Sequence, residues 1–288
     1  MIKPDWQTAD GSIRLYRGDC LEVMPEMTDT VDLVVTSPPY DALRAYGGEW
    51  VVDLPAVGRE VYSLLADGGV AVMVIQDQTK DFKKSLTSFR TIVAWCDAGL
   101  SLFECLIYQR HGTPGGWWNK RFRVDHEYMP VFFKGERPHY FDKLHLMVST
   151  KTRHRKQEFA SRLTSGAISK KHNLDAPCNA TKCRGTIWDY TSAKQRRDKR
   201  KNWHPATFPD ELPLHHIQCW TRPGDTVLDP FLGSGTTAVA CINTGRRFIG
   251  IERDPGYFDL AVSRLETALG NVGLFAAPAS PERSLTHV

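Results

Sequence analysis

The 288-residue sequence has no long apolar segment, no internal repeat and no low-complexity tract. Its longest uninterrupted apolar run, Val70–Ile75, falls far short of the ~20 residues that cross a bilayer. The opening residues Met1–Trp6 contain no apolar core of a signal peptide, which predicts a cytoplasmic protein. Hydrophobic residues make up 41% and charged residues 24%, which excludes disordered, collagen-like and coiled-coil chains and indicates a globular protein.

Cysteine pairs at the spacing of a disulfide framework or a zinc finger are also absent. The seven cysteines are odd in number and scattered, which predicts reduced thiols. Cys178 and Cys183 lie near His172, but no second Cys/His pair follows at finger spacing, so we predict no metal site. His215 and His216 belong to a predicted amphipathic helix, where we interpret them as packing residues.

Basic residues are concentrated in one part of the chain. Residues 151–201 contain 15 Lys and Arg against 4 Asp and Glu, a local balance of +11. The remainder holds 22 basic and 29 acidic residues, a balance of −7, although the whole chain carries +4. A basic segment on an acidic body predicts a polyanionic partner such as nucleic acid, with a solvated charged loop as the alternative.

Short apolar runs alternate with helical patterns along most of the chain. Runs rich in β-branched residues and bounded by Gly, Pro or Asp predict strands buried on both faces. The predicted strands are Ile13–Tyr16, Val31–Thr36, Gly69–Ile75, Ser101–Tyr108, Tyr128–Phe133, Thr226–Leu228 and Arg247–Ile251, and the predicted helices are Asp53–Leu65, Thr87–Ala98, Glu211–Cys219, Thr236–Thr244 and Pro255–Leu269. This alternation predicts an α/β fold with a doubly wound, mostly parallel sheet of seven to eight strands.

A glycine-rich turn follows the predicted strand Thr226–Leu228. It reads Asp229-Pro230-Phe231-Leu232-Gly233-Ser234-Gly235-Thr236-Thr237 and leads into a helix, so its backbone N–H groups are free to meet a ligand. The turn has neither the full G-x-G-x-x-G spacing of a dinucleotide site nor the lysine of a P-loop. A turn that only reverses the chain is the remaining alternative.

An acidic residue, Glu252, ends the next predicted strand. A carboxylate at this place is positioned to accept hydrogen bonds from the hydroxyls of a ribose. Together with the glycine-rich turn, it predicts a nucleoside-bearing cofactor that needs no pyrophosphate. S-adenosylmethionine is the common cofactor of that kind.

A second turn, Ser37-Pro38-Pro39-Tyr40, follows the predicted strand Val31–Thr36. The prolines stop the strand and fix the backbone, so the strand end becomes a rigid platform. The Ser37 hydroxyl and the Pro38 carbonyl can each accept one N–H of a flat amino group, while Tyr40 stacks on the base that carries it. A turn that only ends a strand is the alternative for this segment.

These motifs, in this order, resemble the β-class amino-methyltransferases of DNA. In that class the catalytic Ser/Asp-Pro-Pro-Tyr comes early, a target recognition region follows, and the glycine motif for S-adenosylmethionine comes late. The resemblance covers roughly Ile13–Leu265 and implies four parts: a catalytic half (1–135), a DNA-binding insert (136–202), a cofactor-binding half (203–270) and a flexible tail (271–288). The class also implies base flipping, because an exocyclic amine cannot meet the methyl donor inside the helix.

The resemblance assigns roles to individual residues. Ser37, Pro38, Pro39 and Tyr40 would be catalytic. Asp19 would contact the adenine of the cofactor, Asp229 its methionine end and Glu252 its ribose. The full set of expected cofactor-binding residues is Asp19, Cys20, Thr36, Phe208, Asp229, Pro230, Phe231, Gly233, Ser234, Gly235, Thr236, Thr237, Glu252 and Arg253.

Duplex DNA is the expected partner. The expected DNA-binding residues are Arg44, Lys120, Arg121, Arg123, Lys151, Arg153, Arg155, Lys170, Lys171, Lys182, Arg184, Lys194, Arg196 and Arg197. A homodimer and a separate restriction endonuclease are further partners that the class implies. Within the class, a serine at the position of Ser37 is commoner in cytosine-N4 enzymes than in adenine-N6 enzymes. Both cytosine and adenine stay open as the target base. An RNA or protein amine as substrate, and a DNA-binding module without activity, are the alternative functions.

Overall fold

A computed structural model describes residues 2–39, 52–110, 122, 124–149, 159–162, 165, 168–171, 181–190 and 209–274. Within these ranges the strands are β1 (Trp6–Gln7), β2 (Ile13–Arg17), β3 (Val31–Thr36), β4 (Leu65–Met73), β5 (Thr79–Lys80), β6 (Lys83–Lys84), β7 (Ser101–Arg110), β8 (His126–Phe133), β9 (Met147–Ser149), β10 (Phe159–Arg162), β11 (Ile168–Lys171), β12 (Thr181–Cys183), β13 (Ile187–Tyr190), β14 (Thr226–Asp229) and β15 (Arg247–Glu252). The helices are α1 (Cys20–Val23), α2 (Leu54–Leu64), α3 (Thr87–Asp97), α4 (Glu211–Trp220), α5 (Thr236–Thr244) and α6 (Pro255–Leu274), with short 3-10 turns at Met24–Glu26 and Leu144–Leu146.

A nine-stranded sheet forms the centre of the fold, in the order β1-β2-β15-β14-β3-β4-β8-β7-β13. Strands β2, β15, β14, β3 and β4 are paired in parallel, and so are β7 and β13. Strand β8 runs antiparallel between β4 and β7, and β1 is antiparallel to β2. All seven predicted strands lie in this sheet, so the predicted α/β fold with a mostly parallel sheet is confirmed. The two added strands, β1 and β13, have two and four residues.

Both faces of the sheet are covered, which explains why its strands are apolar without alternation. In β3, Leu33 and Val35 pack in one core while Val34 packs in the other. Ala238 of α5 lies in the first core and Trp95 of α3 lies in the second. Helices α4, α5 and α6 therefore cover one face, and α2 and α3 cover the other.

The connections place a crevice at one edge of the sheet. The chain passes from β3 through α2 to β4 in one direction, and from β14 through α5 to β15 in the other. Because β3 and β14 are neighbours, this is a topological switch point, where ligands of open α/β sheets bind outside the carboxyl ends of the strands. The turns at Ser37 and Asp229 follow directly from these two strands, so the sheet brings them to the same edge.

The predicted insert, 136–202, contributes to the main sheet. Its strand β13 pairs in parallel with β7, from Ile187 opposite Ile107 to Tyr190 opposite Arg110. Four further strands of its described part form two antiparallel pairs, β9 with β12 and β10 with β11. Helix α6 also extends to Leu274, a few residues beyond the predicted start of the tail. Among the described residues, no helix combines the length and the apolar character needed to cross a membrane.

Candidate active site

A cavity of about 440 Å³ opens at the carboxyl edge of the sheet. Its walls come from the ends of four neighbouring strands, β2, β3, β14 and β15. Nine of the residues predicted for the site line it, namely Asp19, Cys20, Ser37, Pro39, Pro230, Phe231, Gly233, Glu252 and Arg253. The volume is within the range of small-molecule sites in proteins. The cavity therefore joins the strand end that carries Ser37 to the glycine-rich turn.

The prolines after β3 end the strand as predicted. The N–H of Val74 still donates to the Thr36 carbonyl at 2.8 Å, but the next two positions after Ser37 have no N–H to continue the ladder. Pro38 is buried, while Ser37 and Pro39 are partly exposed and face the cavity. The fourth residue of this predicted platform, Tyr40, lies outside the described residues.

Asp229, at the end of β14, is buried behind the cavity and does not line it. Its Oδ1 accepts from the Thr36 hydroxyl at 2.7 Å and from the Phe231 N–H at 3.1 Å, and its Oδ2 accepts from the Thr237 hydroxyl at 2.8 Å. Burial raises the pKa of Asp229 to about 6, against these three donors, which lower it. The carboxylate thus ties the end of β3 to the turn and to α5, so it shapes the site from within.

The glycine-rich turn contributes its first half to the cavity and its second half to packing. Gly233 and Gly235 have φ of 53° and 80°, in the left-handed region that favours glycine. A Cβ on Gly235 would lie 3.0 Å from Leu265 Cδ1, so a residue without a side chain fits best where α6 packs on this turn. Ser234 is held by the guanidinium of Arg264 on α6. Of the predicted set, Thr36, Asp229, Ser234, Gly235, Thr236 and Thr237 therefore support the cavity without lining it.

Glu252 ends β15 inside the cavity wall. Its Oε2 accepts from the Gly233 N–H at 2.7 Å and its Oε1 from the Asp254 N–H at 2.8 Å. Burial raises the pKa of this carboxyl, while these two backbone donors lower it. The two bonds fix the orientation of the carboxylate and leave further lone pairs for hydroxyl donors from a ligand.

The end of β2 supplies a second carboxylate. Asp19 caps α1, since its Oδ1 accepts from the Leu21 N–H at 2.9 Å, and its Oδ2 lies 3.1 Å from the Arg253 guanidinium. The neighbouring Cys20 is buried, and burial raises the pKa of its thiol to about 12. A protonated thiol of this kind is not a nucleophile, in agreement with chemistry that uses no covalent cysteine intermediate.

The cavity is also lined by residues outside the expected site set: Gly18, Leu21, Val52, Asp53, Asp254, Pro255 and Tyr257. Asp53 caps α2, accepting from the Ala56 N–H at 2.9 Å, and Tyr257 lies in the first turn of α6. Both positions follow from helix starts at the carboxyl edge of the sheet. An acidic residue before a helix that begins with Leu54-Pro55 is a recognisable sequence signal for such a cap.

Most of the predicted DNA-binding residues cannot be placed. Phe208 of the cofactor set, and Arg44, Lys120, Arg121, Arg123, Lys151, Arg153, Arg155, Lys194, Arg196 and Arg197, lie outside the described residues. Lys170 and Lys171 lie on β11, and Lys182 is exposed on β12. These positions stay predictions.

Arg184 is placed inside an aromatic cluster. Its guanidinium lies 5.4 Å from the ring centre of Trp188 and 5.3 Å from that of Tyr190, and one of its terminal nitrogens is buried without a hydrogen-bond partner. His216 is fully buried and stacks on Trp188 at 4.6 Å, and Tyr190 is 3.0 Å from His215 Nδ1. The two histidines therefore pack against β13, and Arg184 joins the insert to this cluster.

One group of potential metal ligands occurs among the described residues, at the opposite edge of the sheet. Atoms of Asp32, His139 and Asp225 lie within 4.8 Å of one another. Asp32 already accepts from the Thr226 N–H at 2.8 Å, and Asp225 from the Arg222 N–H at 2.7 Å. The first bond connects the starts of β3 and β14, and the second closes the turn before β14, so both carboxylates have a structural role far from the cavity.

Fold and site together define an α/β enzyme with a small-molecule cavity at the switch point of its sheet, beside a rigid polar strand end. A family model described as DNA methylase, of the N6/N4 type, matches residues 31–263. The chain belongs to this family and is a DNA amino-methyltransferase.

Known proteins agree with this membership over most of the chain. The orphan methyltransferase M.BamHII of Bacillus amyloliquefaciens is 32% identical over 257 residues, which cover 86% of this chain and 90% of the relative. The type II methyltransferase M.Cfr9I of Citrobacter freundii is 29% identical, covering 91% of each chain. The DNA adenine methyltransferase YhdJ of Escherichia coli K12 is 26% identical, covering 88% of this chain and 83% of the relative.

Solved structures show the same fold. The PvuII DNA methyltransferase, described as cytosine-N4-specific, superposes with a TM-score of 0.67 at 22% identity, over 94% of this chain and 95% of its own. The Thermus thermophilus protein TTHA0409, solved in complex with S-adenosyl-L-methionine, gives a TM-score of 0.57 at 26% identity, over 88% of this chain and 93% of its own.

Proposed function

We propose that this protein transfers the methyl group of S-adenosylmethionine to the N4 amine of a cytosine swung out of duplex DNA. One observation carries the proposal: Ser37 lies in the wall of the cavity that Asp19, Phe231 and Glu252 also line. A nucleoside-bearing donor and a target amine would then meet in one space. Cytosine is chosen over adenine because of Ser37, which is the commoner residue here in the cytosine-N4 enzymes that the sequence resembles.

The residues of the cavity fit the proposed cofactor. Glu252 would accept hydrogen bonds from the ribose hydroxyls, and Asp19 would contact the adenine. The turn at Phe231 would enclose the cofactor, and Asp229 holds this turn in place from behind. When bound, S-adenosylmethionine supplies an electrophilic methyl group. The chain needs no residue that forms a covalent bond.

The platform would act by positioning. The Ser37 hydroxyl and the Pro38 carbonyl would each accept one N–H of the target amine, which draws the nitrogen out of conjugation and directs its lone pair along the line of transfer. Tyr40 would stack on the base. Because the prolines fix the strand end, the platform loses little conformational freedom when the base binds. Positioning of this kind supplies much of the rate enhancement.

The basic part of the insert, 136–202, is proposed to bind the duplex, with 1–135 as the catalytic half and 203–270 as the cofactor half. A segment rich in Lys and Arg neutralises phosphates and gives affinity that falls with salt. A homodimer and a separate restriction endonuclease stay predictions.

The reaction product tests the proposal. Purified protein, S-adenosylmethionine and mixed-sequence duplex DNA are incubated, and the DNA is digested to nucleosides for mass spectrometry. We expect N4-methylcytosine. A peak of N6-methyladenine would overturn the choice of base, and methylation of RNA or protein with none of DNA would overturn the proposed substrate.

Replacing Glu252 with glutamine is expected to weaken S-adenosylmethionine binding about 10- to 100-fold, since charge-assisted bonds to hydroxyls contribute about 1.5–3 kcal/mol. Isothermal titration calorimetry measures the effect. Glu266→Gln, exposed on α6, is the matched control. Unchanged affinity in the Glu252 variant, with an unchanged melting temperature, would remove this residue from the cofactor site.

A further inference from the structure

A small hairpin, β5-β6, rises from the edge of the sheet that carries the platform. Strand β4 lies beside β3, and the Val74 N–H bonds to the Thr36 carbonyl, so the chain leaves the sheet level with Ser37. The hairpin begins at Thr79, only four residues after Ile75. Four extended residues reach at most about 14 Å, so the hairpin lies near the site where the target base must enter.

The base of the hairpin is fixed by hydrogen bonds that are buried or partly buried. Asp77 is buried and accepts from the Ser88 N–H at 2.8 Å, and Gln76 donates to the His126 carbonyl at 2.7 Å. The Ser85 N–H closes the hairpin by donating to the Gln78 carbonyl at 3.0 Å. The hairpin is therefore held at a set position above the edge.

The tip of the hairpin presents an aromatic ring to solvent. Asp81 and Phe82 form the two-residue turn, with φ of 49° and 61°. A turn with positive φ at both positions favours Asn or Asp followed by Gly, so phenylalanine occupies a place where glycine would be least strained. The Phe82 side chain is nevertheless 75% exposed. Its presence stabilises neither the turn nor the core, which points to a contact outside the chain.

Basic residues lie close to Phe82 in the chain. Lys80, Lys83 and Lys84 flank the tip and Arg90 follows on α3, and all four are exposed. Asp81 is the single acidic residue between positions 79 and 90. The chain outside residues 151–201 has a balance of −7, so this cluster opposes the charge of the body that carries it. Lysines beside an exposed aromatic ring complement a nucleic acid, because the lysines can contact its phosphates while the ring stacks on its bases.

We propose that the β5-β6 hairpin is a second DNA-contacting element, outside the basic insert. Lys80 and Lys83 contact phosphates next to the target nucleotide, and Phe82 packs against the bases at the place that the target leaves when it swings out. Apolar side chains inserted between base steps are a known way to hold an opened stack. This inference rests on the proposed function, since it assumes a duplex at the Ser37 edge.

Charge removal tests the phosphate contacts. Lys84 is left unchanged because its ammonium also reaches the Asp77 carbonyl. In Lys80→Gln/Lys83→Gln, we expect duplex affinity to fall about 10-fold and the slope of log K against log salt to become shallower by about 1.8, at about 0.9 for each phosphate that is no longer neutralised. Arg59→Gln/Arg247→Gln removes two exposed charges, on α2 and at the start of β15, and is the matched control. Equal slopes for the two double variants would overturn the contacts.

Replacing Phe82 with glycine tests the ring, and the variant folds without strain at the turn. We expect an unchanged or raised melting temperature and a single-turnover methylation rate about 10-fold lower on a paired target. On a duplex whose target base faces an abasic site, and is already unpaired, the rate is expected to return to that of the unaltered protein. Equal rates for variant and unaltered protein on both duplexes, or equal losses on both, would overturn the role.

Two further outcomes distinguish this inference from self-association through the hairpin and from failure of the proposed function. If light scattering shows that Phe82→Gly changes the oligomeric state while both methylation rates stay unchanged, the hairpin is a self-association surface and the proposal is wrong. If the unaltered protein methylates no DNA, the proposed function fails before the hairpin is tested. Activity of the unaltered protein with full activity of the hairpin variants overturns the hairpin alone.

Discussion

Replacing Ser37 with alanine is expected to lower kcat for methyl transfer about 100- to 1000-fold, the usual effect of removing one positioned hydrogen-bonding group from a reaction centre. Ser37 faces the cavity at the end of a strand that two prolines stop. Without its hydroxyl, the target amine keeps one acceptor, the Pro38 carbonyl, and loses the alignment that both provide. Affinity for S-adenosylmethionine is expected to stay within about twofold of the unaltered protein, since other residues form that part of the cavity.

Single-turnover rates at saturating DNA measure this effect, and calorimetry measures cofactor affinity. Ser63→Ala, exposed on α2, is the matched control for loss of a serine hydroxyl. If Ser37→Ala transfers methyl groups at the rate of the control, the platform has been assigned to the wrong residue. If cofactor affinity falls together with kcat, Ser37 belongs to the cofactor site.

The course of the main sheet is predictable from the sequence because its strands are buried on both faces. Val31–Thr36 is a mostly apolar run that ends just before Ser37-Pro38, and β3 of the structure begins and ends at the same two residues. The strand predicted at Gly69–Ile75 instead starts at Leu65, directly after α2, and ends at Met73. The early start follows from the pairing of Leu65 with Val31, a contact across the fold that no local pattern contains.

Short strands and the hydrogen-bond partners of side chains cannot be predicted from local apolar patterns. Strand β13 has four residues in a polar segment, so its pairing with β7 depends on the packing of Trp188 and Tyr190. The residues at the ends of strands were predictable, but the partners of their side chains were not. The resemblance implies a cofactor contact for Asp229, which stays a prediction, but it gives no sign of the bonds that the Asp229 carboxylate accepts from the Thr36 and Thr237 hydroxyls. A motif identifies a position at a site, and only geometry distinguishes a residue that contacts a ligand from one that holds the wall.

This distinction makes Asp229 the source of the second large effect. Its pKa is raised to about 6 by burial, from the ordinary value of 3.8. The raised value means that the folded protein binds a proton more tightly than the unfolded chain does. Between about pH 4 and pH 6, the free energy of unfolding therefore falls as pH rises, by about 3 kcal/mol for a shift of about two units. Above pH 6 this contribution is constant.

Replacing Asp229 with asparagine removes that dependence and keeps the shape of the side chain. The asparagine oxygen can accept from one threonine and from the Phe231 N–H, and the other threonine hydroxyl can turn to accept from the amide nitrogen. Groups that titrate elsewhere are common to both proteins and cancel in the difference. The stability of Asp229→Asn relative to the unaltered protein is thus expected to rise by about 3 kcal/mol from pH 4 to pH 6.5.

Urea unfolding at a series of pH values measures this difference, with Asp97→Asn on the exposed end of α3 as the matched substitution. A difference that does not change with pH would show that the three donors balance the effect of burial on the Asp229 carboxylate, and a difference that falls as pH rises would show that they outweigh it. The same variant distinguishes a structural role of Asp229 from a direct contact with S-adenosylmethionine. Because Asp229 does not line the cavity, Asp229→Asn is expected to retain most of its S-adenosylmethionine affinity, whereas direct removal of a ligand contact would reduce affinity without the pH signature.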